Sequence, residues 1–121
     1  MTIRQFQLPG DASIAYTDSG HGRPILLLHG VCMSRVFFER NADVLARDHR
    51  VITVDFRSHG DSPPAESGHT VAQYARDVRA LLQHLQVADV TAVGWSMGSF
   101  VLWDYLAQFG AERLASVVVV S

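Results

Sequence analysis

The sequence predicts an α/β fold: a mostly parallel sheet with helices on both faces, entered through an N-terminal antiparallel hairpin. Three observations carry this. Solid apolar runs such as ILLL (25–28) and VVVV (117–120) suit strands covered on both faces rather than half-wet strands. Stretches with helical spacing separate the later runs, and strands alternating with helices argue for parallel pairing. The first two strand-like runs are divided only by a short turn, which argues for a hairpin.

The elements follow in order. TIRQFQL (2–8) reads as a strand, PGD (9–11) as a turn, SIAYTDS (13–19) as the partner strand and GHGRP (20–24) as a second turn. ILLLHG (25–30) is a buried strand ended by Gly30. Ser34 is placed to cap a helix running to about Arg47, with Phe37, Phe38, Val44 and Leu45 as its packing residues. RVITVDF (50–56) is a second buried strand, and RSHGDSPPAESGH (57–69) is a long Gly, Pro and Ser loop. Thr70 is placed as the next N-cap. Val71, Tyr74, Ala75, Val78, Leu81, Leu82 and Leu85 then form one apolar stripe at helical spacing. His84 falls among polar neighbours on that helix, which predicts exposure. DVTAVGW (89–95) is a short buried strand, 97–109 a helix stopped by Gly110, and LASVVVVS (114–121) the last strand. Trp103 is expected to pack the helix that carries it. No repeat or linker interrupts the order, so one domain is expected.

Composition narrows the function. The 121 residues are 48% apolar and 18% charged, with a formal net charge of -2. All ten basic residues are arginines, and they are dispersed. That gives neither a nucleic-acid footprint nor a polybasic membrane patch. No apolar run is long enough to span a bilayer, and the N-terminus lacks the apolar core of a signal peptide. The single cysteine, Cys32, rules out a disulfide within the chain and fits a reducing compartment, so a cytoplasmic location is expected. No H-E-x-x-H, Cys/His cluster, dinucleotide loop or phosphate-binding loop is present, so no metal and no cofactor are expected. The absence of lysine removes Ser–Lys and Schiff-base chemistry.

In parallel sheets ligands bind beyond the carboxyl ends of the strands. Three strand ends carry unusual residues: His29, Gly30, Val31 and Cys32; Asp55 through Ser62; and Ser96. Ser96 lies in GWSMG, between a buried strand and a helix. A sharp strand-to-helix turn would lift its hydroxyl out of the sheet and force strained backbone. Gly94 and Gly98 remove side chains that such a turn would bring into collision. The helix start supplies N–H groups and a favourable dipole for a developing oxyanion. Met97 offers the first backbone donor and Val31 the second. The side chains of Val31, Cys32, Met33 and Trp95 would shape an acyl pocket. His29 precedes the turn and is read as a hydrogen-bonded support rather than as the base. Asp55 ends a buried strand and needs pairing, for which Arg57 or turn N–H groups are the candidates; a triad acid is the alternative. Gly60 would allow a tight turn beside the site. Cys32 has no base beside it and is a poor nucleophile candidate. His21, His49, His59, His69 and His84 scatter over loops and helix ends, and none is aimed at Ser96.

LLLHG (26–30), VDFRSHGDS (54–62) and GWSMG (94–98), in this order, resemble the N-terminal part of an α/β-hydrolase. The resemblance covers essentially the whole chain. The appearance is nearest the small esterase, lactonase and non-haem haloperoxidase-like group. It implies Ser96 as nucleophile, Val31 and Met97 as oxyanion-hole donors, and a small acyl substrate. Two departures are visible. Ser58 replaces the first glycine of the usual R-G-H-G-x-S loop, which is expected to alter that turn without disabling catalysis. Ser99 stands where many relatives carry another small residue, often glycine. The resemblance further implies that residues 1–121 are the N-terminal part of a single hydrolase domain, truncated after the sixth strand. The late strands, the cap, the acid and the catalytic histidine would then be absent. Self-association through the exposed last strand is expected. The functions kept open are acyl hydrolysis in the complete enzyme, an inactive hydrolase-like or interaction module, and perhydrolase, haloperoxidase-like or C–C bond chemistry.

Overall fold

The computed structural model describes residues 2–121. Six strands form one sheet: β1 (Arg4–Gln7), β2 (Ser13–Ser19), β3 (Pro24–Leu28), β4 (Arg50–Val54), β5 (Val90–Trp95) and β6 (Leu114–Val120), in the order β1-β2-β4-β3-β5-β6. β1 and β2 form the antiparallel hairpin, and β2 also runs antiparallel to β4. β4, β3, β5 and β6 are mutually parallel. A 3-10 turn (Arg35–Phe38) and α1 (Glu39–Leu45) link β3 to β4, α2 (Val71–Leu85) links β4 to β5, and α3 (Met97–Phe109) links β5 to β6.

Two apolar clusters show how the layers are made. On one face, α2 and α3 supply Tyr74, Ala75, Val78, Leu81, Leu82, Val101, Leu102 and Tyr105 against Leu26, Leu28, Ile52 and Val54. On the other, Phe38 and Ala42 pack on Leu27 and Val51. Alternate residues of β3 thus serve opposite faces, which is why its sequence is apolar throughout. The chain leaves β3 for β4 over one face and returns from β4 to β5, on the far side of β3, over the other. Right-handed crossovers demand that change of face when the direction of winding reverses.

The segment after β3 departs from the expected continuous helix. It is a 3-10 turn followed by two turns of α-helix ending at Leu45. Ser34 does cap it, accepting from the Val36 N–H at 3.3 Å. The tight first turn has a cause: the Arg35 N–H and guanidinium are both tied to the Asp55 carboxylate at the end of β4. Phe38 and Ala42 are buried, whereas Phe37 and Val44 are exposed, so only part of the expected packing set points inward. Trp103 is likewise exposed, at 55%, with its ring against Phe100 rather than in the core. The caps of α2 and α3 are as expected. The Thr70 hydroxyl accepts from the Gln73 N–H, and Gly110, at φ 64°, ends α3. His84 is exposed and stacks on Phe6.

Candidate active site

Sheet register brings the three strand ends together. Leu28 pairs with Val54 on one side and with Gly94 on the other. His29, Asp55 and Trp95 therefore leave the sheet at one level, along one edge, with β3 in the middle. This is the crevice that a reversal of winding direction opens.

Ser96 lies between the end of β5 and the first turn of α3, with φ 52° and ψ -111°. Serine rarely adopts positive φ, and such strain persists only where the surroundings impose it. Here the Ser96 N–H donates to the Val120 carbonyl at 2.7 Å, and its carbonyl accepts from the Ser99 N–H at 2.9 Å. The side chain is exposed, and its hydroxyl caps no N–H of α3. The two glycines are explained by what a β-carbon would strike. At Gly94 it would fall 2.5 Å from the Gly98 carbonyl carbon; at Gly98 it would strike the Leu28 carbonyl oxygen. The first turn of α3 is therefore seated directly over the ends of β5 and β3. Ser99 is buried and donates its hydroxyl to the Gly94 carbonyl at 2.9 Å, which secures the same turn.

The neighbouring loop is held by His29. This residue is fully buried, with Nδ1 2.7 Å from the Gly30 carbonyl and Nε2 3.2 Å from the Phe56 N–H. A carbonyl only accepts and an amide N–H only donates, so the ring is neutral with its proton on Nδ1. Burial, more than any neighbour, pushes its pKa below the usual imidazole value, with His59 adding to the effect. Both nitrogens are committed to backbone, which leaves no lone pair to take a proton from serine. Gly30 then passes close to Trp95: a β-carbon there would lie 3.2 Å from Trp95 Cδ1 and 2.9 Å from Met33 Sδ. Val31 and Cys32 are exposed beyond it. Trp95 is half-buried, with the Phe37 ring 5.1 Å away. An apolar wall of Met33, Phe37 and Trp95 thus flanks the loop that carries Val31.

Asp55 is fully buried, and its partner is Arg35 rather than Arg57. Its carboxylate accepts from the Arg35 N–H at 2.7 Å, the Arg35 guanidinium at 2.9 Å and the Asp61 N–H at 2.9 Å. These bonds satisfy a buried charge that would otherwise be costly. Gly60, at φ 52°, lies against the same carboxylate, where a β-carbon would come within 2.5 Å. Arg57 instead pairs with Asp77 of α2 at 2.8 Å. Asp55 thus anchors two loops and hydrogen-bonds no histidine, an arrangement unlike that of a triad acid.

Three of the other imidazoles are also engaged elsewhere. His59 Nδ1 bonds the Arg57 carbonyl, His49 pairs with Asp48, and His69 Nε2 lies 2.8 Å from Ser58 Oγ. Among the described residues, no histidine hydrogen-bonds Ser96. Ser58 itself adopts φ 61°, the conformation that suits the glycine it replaces. The sequence order pointed to Ser96 and its glycines; the Arg35 link and the Ser58–His69 pair had no signal in spacing. No group of His, Cys, Asp and Glu suited to a metal is found among the described residues. No helix among them is long and apolar enough to cross a membrane.

A family model described as alpha/beta hydrolase fold matches residues 23–121. The chain is 39% identical over 108 residues to a non-heme haloperoxidase from Rhodococcus erythropolis, a match covering 88% of this chain and 39% of that one. The structure superimposes on a bromoperoxidase from Bacillus anthracis with TM-score 0.92 and 31% identity, covering 98% of this chain and 44% of that one. An esterase from Rhodococcus sp. ECU1013 gives TM-score 0.89 and 39% identity, with 98% and 45% coverage. The chain spans about 40% of the length of the curated relatives it matches.

Proposed function

The chain belongs to the α/β-hydrolase fold family, and from that premise we propose that Ser96 is the nucleophile of a serine hydrolase acting on carboxylic esters or related acyl substrates. The observation that carries this reading is the exposed, strained Ser96 between a central parallel strand and a helix N-terminus. In the complete enzyme, Ser96 Oγ attacks the carbonyl carbon while an imidazole takes the hydroxyl proton. The negative oxygen is held by the Val31 and Met97 N–H groups. The leaving group departs with a proton, and water releases the acyl group from serine. None of His29, His49, His59 and His69 is offered as that base, because each is hydrogen-bonded elsewhere and no described histidine bonds Ser96. The apolar wall beside Val31 favours an uncharged acyl group.

The similarity to a non-heme haloperoxidase favours one second reading, in which peroxide rather than water receives the acyl group. Both readings need the same acyl-serine.

The chain can be tested as it stands, with dissolved imidazole supplying the base. A fluorophosphonate in imidazole buffer is expected to phosphonylate Ser96, with the adduct located by peptide mass spectrometry and absent from Ser96→Ala. Labelling of Ser96 no faster than that of the chain's ordinary surface serines, with or without imidazole, would defeat the proposal and favour a non-catalytic hydrolase-like module.

A further inference from the structure

The elbow serine has no imidazole against it, but another serine does. Ser58 and His69 lie at opposite ends of the loop between β4 and α2, and both are exposed. Ser58 Oγ is 2.8 Å from His69 Nε2 and 2.8 Å from the Ala65 N–H. We propose that Ser58, with His69 as its base, is a second acyl-accepting site of this chain, open to activated esters and independent of Ser96.

In this proposal each part of the hydroxyl has a role. One Oγ lone pair accepts the Ala65 N–H. In the His69 tautomer with its proton on Nδ1, Nε2 accepts the hydroxyl hydrogen, and the second lone pair remains for a carbonyl carbon. A serine within hydrogen-bond reach of an imidazole is the minimal arrangement of an activated nucleophile. Ser58 is exposed and also sits in a strained turn, with φ 61°, a conformation that side chains seldom adopt. A cavity of about 390 Å³ lies farther along the loop, lined by Pro64, Ala65, Glu66 and Ser67 but by neither Ser58 nor His69, so the ester meets the pair from open solvent. Arg57, which borders that cavity, has its guanidinium committed to Asp77 and the Ser67 carbonyl.

The reaction balances with an aryl ester as the acyl donor. Ser58 Oγ bonds to the carbonyl carbon and its proton passes to His69 Nε2. The bond from the carbonyl carbon to the aryl oxygen breaks, and the aryloxide leaves with the electron pair. The proton on His69 then goes to solvent. The products are an acyl-Ser58 and an aryloxide. No structured oxyanion hole is invoked, so the outcome is stoichiometric acylation rather than fast turnover.

The experiment uses the 121-residue chain with 4-nitrophenyl acetate in imidazole-free buffer, followed by cleavage after arginine and mass spectrometry. Cleavage after Arg57 and Arg76 puts Ser58 on one peptide, and cleavage after Arg79 and Arg113 puts Ser96 on another. The expected result is acetyl on Ser58, assigned within its peptide by fragmentation. His69→Gln should slow it by about a hundredfold, the usual size of a positioned general base. Ser58→Gly should abolish it; glycine suits the positive φ, so the turn survives, and an unchanged circular dichroism spectrum checks this. An unlabelled Ser58, or labelling unaffected by His69→Gln, would show that the pair is only a staple of the turn and would overturn the proposal. Acetyl on Ser96 alone would do the same while supporting the elbow nucleophile, so the two readings fail separately.

Discussion

His29 spends both ring nitrogens on backbone, and this has a consequence for pH. Its bonds to the Gly30 carbonyl and the Phe56 N–H require the neutral ring. Protonation would place a second N–H against the Phe56 N–H. Burial depresses the folded-state pKa, so between that value and the unfolded value near 6.5 the unfolded chain binds more protons than the folded one. Stability therefore rises with pH through this window and falls on acidification below about 6.5. Urea midpoints at pH 7 and pH 5 check this. The wild type should lose more stability on acidification than His29→Gln, whose amide cannot titrate. Equal losses would show that His29 is not held neutral by the fold. The linkage also bears on the site, because the atom that His29 fixes is the carbonyl immediately before Val31.

Elements show why some of this was readable in sequence and some was not. The apolar stripe of α2, the Thr70 cap and the Gly110 stop are local signals, and each appears where periodicity and capping chemistry put it. Gly94 and Gly98 were legible because a turn between a strand and a helix admits few side chains. The tight turn at Arg35–Phe38 was not legible, because its cause, the Arg35–Asp55 pair, joins residues on different elements. The partner of Arg57 was missed for the same reason: Asp77 comes next to it only once α2 has folded over the sheet. The exposure of Trp103 and Val44 was hidden because a helix can carry apolar residues beyond its buried stripe. The seating of α3 makes a prediction at this scale. Gly98→Ala places a methyl group against the Leu28 carbonyl, and both partners are backbone, so neither can swing aside. Overpacking of this kind costs about 1–3 kcal/mol. A urea titration should show that loss, together with slower phosphonylation of Ser96 as α3 is pushed off β3. Wild-type stability in Gly98→Ala would mean that the contact is loose and the elbow less constrained than its geometry implies.

At the scale of the whole molecule, the two flanks of the sheet differ. β1 is short and its outward side chains are mostly polar, whereas β6 presents Val118, Val119 and Val120, each at least 36% exposed. Beyond β6 the sheet has no further strand among the described residues. A seven-residue apolar strand with one unpaired side is a template for another strand. Phe100 and Trp103, both 55% exposed on α3, add apolar surface to the chain. The described polypeptide is therefore expected to self-associate through β6. Light scattering coupled to size exclusion should give a mass that rises with loading concentration. Val119→Lys, which puts a charge on that strand, should lower it. The edge also matters to chemistry, because the Val120 carbonyl receives the Ser96 N–H. Whatever pairs with β6 steadies the strand that holds the elbow. Conditions that dissociate the chain should then slow Ser96 labelling more than Ser58 acetylation, since Ser58 lies on the loop after β4. A mass that stays monomeric over a wide dilution series, or a Val119→Lys variant that associates like the wild type, would remove β6 as the interface and with it this link between assembly and the elbow.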